Sequence, residues 1–319
     1  MLNEKILINQ CEIKNRLVLP PMATGKADDG NAGEAIISYY TNITQSKKIG
    51  LVITEHACIS ERGRAHDNQM RITAAADLNK LHQLTDAIHS NDSKVFAQIS
   101  HAGFRAACEN PLGASAVPDP FRKNPVIPEE ASSEDLQQII SDFASAALRC
   151  KKAGYDGVEI HSAHGYLLNQ FYSPLSNKRT DAYGQNRILL HLQVIQAVRA
   201  AVGPDYPVII RLGACDYAEN GSSIEDAVQA CIAFEKAGID AIDVTGGLRG
   251  YTRPDKTDCC YFEDASSAIK NAVSVPVIAA GGIRTKDDCE RLLSQGACDL
   301  AGIARPLLKD PFYPDQIID

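Results

Sequence analysis

Apolar residues alternate along this chain between short β-branched runs and longer stripes of helical period. The runs at 16–19, 50–55, 94–99, 156–160, 207–212, 241–245, 276–280 and 299–303 predict eight strands. A helical pattern follows each one, the last cut short. Strand and helix in strict alternation point to an α/β fold whose parallel sheet closes into a (β/α)8 barrel. Ser222-Ser223-Ile224-Glu225 reads as a capping box that opens one helix, and apolar residues at 188, 192, 195, 198 and 202 trace the buried stripe of another. Lys152-Ala153-Gly154-Tyr155-Asp156 is echoed at 236–240 and 295–299, each time with glycine where a left-handed helix cap would precede the next strand.

Two connections interrupt the rhythm. Residues 101–131 contain five prolines and follow the third strand, and residues 246–258 follow the sixth. Both leave strand C-termini, the end where barrels build active sites. Residues 6–13 predict a hairpin closing the opposite end. The whole chain, 1–319, reads as one domain.

Composition narrows the function. At 45% hydrophobic residues the chain can bury a large core, and a net charge of −8 argues against nucleic acid or an anionic membrane as partner. No apolar stretch approaches the ~20 residues that cross a bilayer. The start, Met1 to Lys5, lacks the apolar core of a signal peptide, so a cytoplasmic location is expected. None of the ten cysteines forms a Cys-x-x-Cys pair, and they are expected to be reduced and structural. Cys259-Cys260 is the one pair in a loop.

Polar residues gather at the predicted strand ends. Gln98 ends the third strand, His161 and His164 follow the fourth, and Arg211 ends the fifth; Gly281-Gly282 follow the seventh and Ala304-Arg305 the eighth. In a closed barrel these meet at one mouth. The glycine pair and Arg305 suit a phosphate, because bare backbone N–H groups can approach an anion beside a fixed cation. His161 and His164 can donate hydrogen bonds to an oxygen gaining negative charge, and Tyr166 can supply a proton. A metal on His-x-x-His is the other reading, although no carboxylate or cysteine at matching spacing completes it, and no metal is expected.

The run Asn15-Arg16-Leu17-Val18-Leu19-Pro20-Pro21-Met22 resembles the first-strand signature of the old yellow enzymes, the NADH:flavin oxidoreductase family. His161-Ser-Ala-His164-Gly-Tyr166-Leu-Leu-Asn-Gln-Phe-Tyr-Ser-Pro-Leu-Ser-Asn177-Lys-Arg179-Thr-Asp181-Ala-Tyr-Gly184 resembles its central signature, and the likeness runs to Asp299-Leu-Ala-Gly-Ile-Ala-Arg305-Pro. It implies FMN held noncovalently across the mouth, with NADH or NADPH as reductant. Pro20, Pro21, Met22 and Ala23 would pack beside the flavin ring, Gln98 would bond its pyrimidine edge, and Arg211 would sit near N1 and O2. Gly281, Gly282, Ala304 and Arg305 would take the phosphate. His56 stands after the second strand, where a small flavin-contacting residue is usual. The implied reaction is ping-pong reduction of the C=C bond of an α,β-unsaturated carbonyl or nitro compound, a small-molecule substrate. His161 and His164 would bind its oxygen, and Tyr166 would protonate the α-carbon.

The chain departs from that pattern at Ala23, where relatives often carry cysteine or threonine, and at Gly25, where some carry a pocket tyrosine. An altered flavin potential is the expectation from Ala23. The cysteine cluster of the 2,4-dienoyl-CoA reductase branch is missing, and the eighth helix is expected to be incomplete. A homo-oligomer is possible. Two other readings stay open: a flavin-binding redox protein with quinone or nitro reductase activity or no turnover, and a phosphate-binding aldolase or isomerase. A Schiff-base aldolase would need a lysine at a strand end, whereas Lys94 starts its strand.

Overall fold

The computed structural model describes residues 1–319. Eight parallel strands close into a barrel in chain order: β1 (Leu17–Leu19), β2 (Leu51–Cys58), β3 (Lys94–Ser100), β4 (Gly157–Ser162), β5 (Val208–Cys215), β6 (Ala241–Gly246), β7 (Val277–Ala280) and β8 (Leu300–Gly302). The last strand pairs with the first, Ala301 opposite Leu17. Closure leaves no sheet edge exposed. Around it lie α1 (Glu34–Ile43), α2 (Leu78–His89), α3 (Ser133–Lys152), α4 (Leu189–Val202), α5 (Ile224–Lys236), α6 (Glu263–Lys270), α7 (Lys286–Ser294) and a short α8 (Arg305–Lys309). The five residues of α8 are followed by a 3₁₀ turn at Tyr313–Gln316. No helix is long and apolar enough to cross a membrane.

Period-two alternation sorts each strand's side chains between two cores. Residues facing the surrounding helices join one apolar cluster of 73 buried residues. A second, smaller cluster takes Val18, Leu51, Ile53, Phe96, Ile209, Ala241, Ile278 and Leu300 from the strands, together with Ile8 and Ile13. Those two isoleucines belong to the hairpin Ile6–Ile8/Cys11–Ile13, which plugs one end of the barrel as the sequence implies. Two residues further along β3, β5 and β6 the inward positions turn polar, at Gln98, Arg211 and Asp243. The barrel is therefore apolar at its N-terminal end and charged towards its C-terminal mouth.

Local signals explain the helices, with one correction. α3 opens on a capping box between Ser132 and Asp135 and buries Leu136, Ile139, Phe143, Ala146, Ala147 and Cys150, which share one helical face. α5 is capped by Ser223 with Asp226 as reciprocal partner, one residue later than Ser222 and Glu225. Ser222 is buried instead, its hydroxyl without a partner. α4 buries Leu190, His191, Val194, Ile195, Val198 and Val202, so the expected positions 188 and 192 lie at the margin of its stripe. Glycines 154, 238 and 296 adopt φ of +87°, +101° and +67°, the left-handed caps expected of the repeated motif.

Candidate functional site

The site is built on the charged end of the barrel. Gln98, Glu159, Arg211 and Asp243 are each buried and lie side by side, Gln98 opposite Glu159 and Arg211 opposite Asp243. Gln98 Nε2 donates to Glu159 Oε1 at 2.7 Å, and Arg211 Nε lies 3.3 Å from Asp243 Oδ2. Burial, then the charge of Asp243, holds Glu159 well above the usual carboxylate range; burial likewise raises Asp243, against the pull of Arg211. Two such carboxyls retain a proton between them, and the guanidinium balances the remaining charge.

Arg211 lies inside β5 rather than at its end, because that strand runs on to Cys215. His161 likewise falls within β4, opposite Arg211, and His56 within β2. β2 is irregular there: its register against β3 shifts between Thr54 and Ala57, which re-aims the intervening residues.

His56, His161, His164 and Tyr166 form one ring cluster. His161 lies 5.3 Å from His164 and 4.9 Å from Tyr166 between ring centroids, and His56 lies 5.3 Å from Tyr166. The turn that carries His164 and Tyr166 is tight: His164 and Gly165 both have left-handed φ, +57° and +74°. Arg105 secures it from the 101–131 connection. Its guanidinium bonds the carbonyl oxygens of His164 and Leu248 and pairs with buried Asp119. A Cβ on Gly165 would sit 2.5 Å from that guanidinium, so the close approach also requires glycine. Asn169 Oδ1 accepts the Gly165 N–H at 2.8 Å, and His164 Nε2 shares a hydrogen bond with Thr245 Oγ1 at 3.0 Å.

Burial sets the protonation of the cluster. It pushes His161 and His164 well below the ordinary imidazole range, helped for both by the Arg211 charge, and it takes His56 down to about 4. Tyr166 is pushed up to about 12, again by burial and against the pull of Arg105 and Arg122. At pH 7 the site therefore offers neutral imidazoles and an intact phenol. His161 Nδ1 is buried without a partner.

A separate corner holds Gly281, Gly282 and Arg305. The glycines follow β7 with φ of +130° and +75°, and added Cβ atoms would meet Phe262 at 2.8 Å and Tyr261 at 2.7 Å. Arg305 Nη2 donates to Tyr261 Oη at 3.1 Å, next to Ala304, which precedes α8. No hydrogen bond joins this corner to the ring cluster. Pro20, Pro21, Met22 and Ala23 form the segment after β1, grading from buried Pro20 to exposed Ala23. All ten cysteines are unpaired. Cys259, Cys260 and Asp288 bring ligand atoms within 4.8 Å of one another, but Asp288 caps α7 through the Arg284 and Thr285 N–H groups and Arg291 donates to Cys260 Sγ. Lys94 pairs with Asp156 where its strand begins, so it cannot serve as a Schiff-base lysine at the mouth.

The whole of this frame matches one known family: the signature of the NADH:flavin oxidoreductase / NADH oxidase family spans residues 2–319. The chain belongs to that family. It is 33% identical to an NADH oxidase of Thermoanaerobacter brockii and 36% identical to a metal reductase of Desulforamulus reducens. Each match covers 97% of this chain, but 49% and 47% of those proteins, so the chain spans about half their length. An NADPH dehydrogenase of Halalkalibacterium halodurans, 33% identical, is matched over 95% of this chain and 90% of its own. Among solved structures, 2-naphthoyl-CoA reductase superposes with TM-score 0.93 at 24% identity, over 99% of this chain and 52% of its own. An old yellow enzyme homologue from Zymomonas mobilis gives 0.85 at 23%, over 98% and 91%. These two likenesses concern the fold. The family is one of FMN oxidoreductases that draw reducing equivalents from NADH.

The family's chemistry fits the residues present. The Arg211 guanidinium faces Asp243 through Nε, Gln98 donates its amide nitrogen to Glu159 while its carbonyl oxygen accepts no hydrogen bond, and His161 Nδ1 is buried without a partner. A flavin pyrimidine edge, with one N–H among several acceptors, is complementary to the Gln98 carbonyl beside the Arg211 guanidinium. Sequence reasoning had no handle on Arg105, Glu159, Asp243 or Thr245, nor on Gln69, whose amide nitrogen meets His56 Nδ1, each separated in the chain from the partner that gives it meaning.

Proposed function

We propose that this family member reduces the activated C=C bond of α,β-unsaturated carbonyl or nitro compounds, in two half-reactions that alternate in one pocket. The observation that carries the reading is the ring cluster: two neutral imidazoles and a protonated phenol converge at the barrel mouth. Gln98 and Arg211 would hold the pyrimidine edge of FMN, with Pro20, Pro21, Met22, Ala23 and His56 beside its ring. Gly281, Gly282, Ala304 and Arg305 would hold its phosphate. FMN, when bound, accepts hydride from NADH or NADPH and supplies it to the alkene's β-carbon.

The chain's own residues do the rest. His161 and His164 donate N–H groups to the substrate oxygen, which gains charge as the alkene is reduced; such bonds strengthen in the transition state and so accelerate the step. Their neutrality matters, because a neutral donor polarises the oxygen without surrendering a proton to it. Tyr166 gives its Oη proton to the α-carbon. Arg105 and Asn169 hold the turn that orients His164 and Tyr166, while β4 holds His161.

The test is reoxidation of the NADPH-reduced, FMN-loaded protein by 2-cyclohexenone without oxygen. The native protein is expected to be reoxidised. His161→Ala and His164→Ala should keep FMN and each lose about 10²-fold in that step, the usual effect of removing one oxyanion donor. A native protein that NADPH reduces but that neither an enone nor a nitroalkene reoxidises would overturn the reading.

A further inference from the structure

We infer that His56 is a positioning residue for Tyr166, donating its Nε2–H to the phenol oxygen so that the phenol's own proton is left to face the substrate. The inference rests on the proposed alkene reduction for its purpose, but on hydrogen-bond geometry for its content. His56 Nε2 lies 3.4 Å from Tyr166 Oη, with the two rings edge to face. The other ring nitrogen, Nδ1, meets the amide nitrogen of Gln69.

Gln69 decides which nitrogen carries the proton. Its Oε1 accepts the Ala65 N–H at 2.7 Å, and its Nε2 donates to the His56 carbonyl at 3.1 Å. Turning the amide over would set donor against donor at Ala65 and acceptor against acceptor at His56, so its orientation is determined by two backbone groups. An amide nitrogen cannot accept. His56 Nδ1 therefore accepts from it, and a neutral imidazole with an accepting Nδ1 bears its proton on Nε2. Burial and the nearby His66 keep His56 neutral at working pH.

The consequence for proton transfer follows from the same count. Tyr166 Oη accepts from His56, and its O–H is free to point into the pocket. As the substrate's β-carbon gains the hydride that originates in NAD(P)H, the Tyr166 O–H bond breaks and a C–H bond forms at the α-carbon. The O–H electron pair stays on the phenolate until water reprotonates it. During that interval the His56 N–H donates to a charged oxygen, a stronger bond than the one to the phenol, so it favours proton release. The 3.4 Å separation is of the kind that shortens when substrate binds.

Histidine ring nitrogens report their tautomer directly in 15N NMR, and this readout needs neither FMN nor turnover. In protein labelled with 15N-histidine, the signals lost in His56→Gln identify His56, which is expected to show the Nε2–H pattern. Gln69→Glu places an acceptor at Nδ1 and should convert His56 to the Nδ1–H form, turning Nε2 into an acceptor for the phenol. In the same variant, reoxidation by 2-cyclohexenone should slow at least tenfold more than reduction by NADPH, with a larger solvent deuterium isotope effect. His56→Gln, which keeps an amide donor, should recover part of the rate lost in His56→Ala. An Nδ1–H pattern in the native protein overturns the inference, as does a Gln69→Glu variant that is converted yet slows both steps equally. A native Nε2–H pattern in a protein without enone turnover sustains the His56 assignment and overturns the alkene reading instead.

Discussion

Tyr166, the proposed proton donor, is kept protonated by where it sits: burial pushes its phenol up to about 12, so it holds its proton at neutral pH. Replacing it with phenylalanine removes one oxygen and little packing. Tyr166→Phe should slow the enone half-reaction by at least about 10²-fold, the usual share of a general acid, while NADPH still bleaches the flavin. Stopped-flow absorbance at the flavin bands separates the two steps, and an unchanged enone rate would place the proton donor elsewhere. His161, His164 and Tyr166 were legible in the sequence because they lie within six residues on one predicted strand end. Their supports were not. Arg105 reaches the His164 carbonyl across 59 positions and Gln69 reaches His56 across 13, contacts that only folding creates.

At the scale of single elements, chemistry that looks equivalent in the sequence is divided by a one-residue difference in register. Ser222 and Ser223 both precede α5, and either could cap it by pattern. Only the Ser223 hydroxyl accepts from a helix N–H, at Asp226, whereas Ser222 carries a buried hydroxyl with no partner. Ser223→Ala should therefore cost about 1 kcal/mol, and Ser222→Ala should be neutral or slightly stabilising, since it removes an unsatisfied polar group. Urea unfolding of the two variants checks this, and equal losses would contradict the assigned cap. The repeated motif, Gly-x-Asp twice and Gly-x-x-Asp once, shows a further layer. Its glycines were readable as left-handed caps, but its aspartates act across the sheet: Asp156, Asp240 and Asp299 accept the backbone N–H of Val95, Val208 and Val277. Each carboxylate secures the neighbouring barrel strand near its start. Sequence periodicity contains no sign of that use.

The molecule as a whole stores several neutral imidazoles out of reach of water, and this makes its stability depend on pH. Burial lowers His56 and His101 to about 4 and His191 to about 3, with His161 and His164 lowered as well. Unfolded imidazoles bind protons near 6.5, so below that pH the unfolded chain holds more protons than the folded one. Stability is then complete above about 6.5 and falls with decreasing pH, by about 3 kcal/mol for each of His56 and His101 at pH 4. Glu55, Asp142, Glu159 and Asp243 act in the opposite sense, since a raised carboxyl pKa favours the folded state as pH drops, but with His66 also lowered these four carboxyls stand against six imidazoles. The expected result is a urea midpoint that decreases steadily from pH 7 to pH 5. A constant midpoint over that interval would show that these histidines are not held neutral.

The sequence by itself determined the (β/α)8 barrel, the hairpin at its base, the family and the identity of the histidine–tyrosine motif. All of these depend on local periodicity and on contiguous residues, and such information survives in one dimension. Only the tertiary structure decided that Glu159 and Asp243 share a buried layer with Gln98 and Arg211, that Arg105 clamps the turn, and that Gln69 orients His56 towards Tyr166. Those arrangements arise from hydrogen bonds between segments far apart in the chain. A partner in such a bond has no meaning until the barrel closes and brings the two groups within reach.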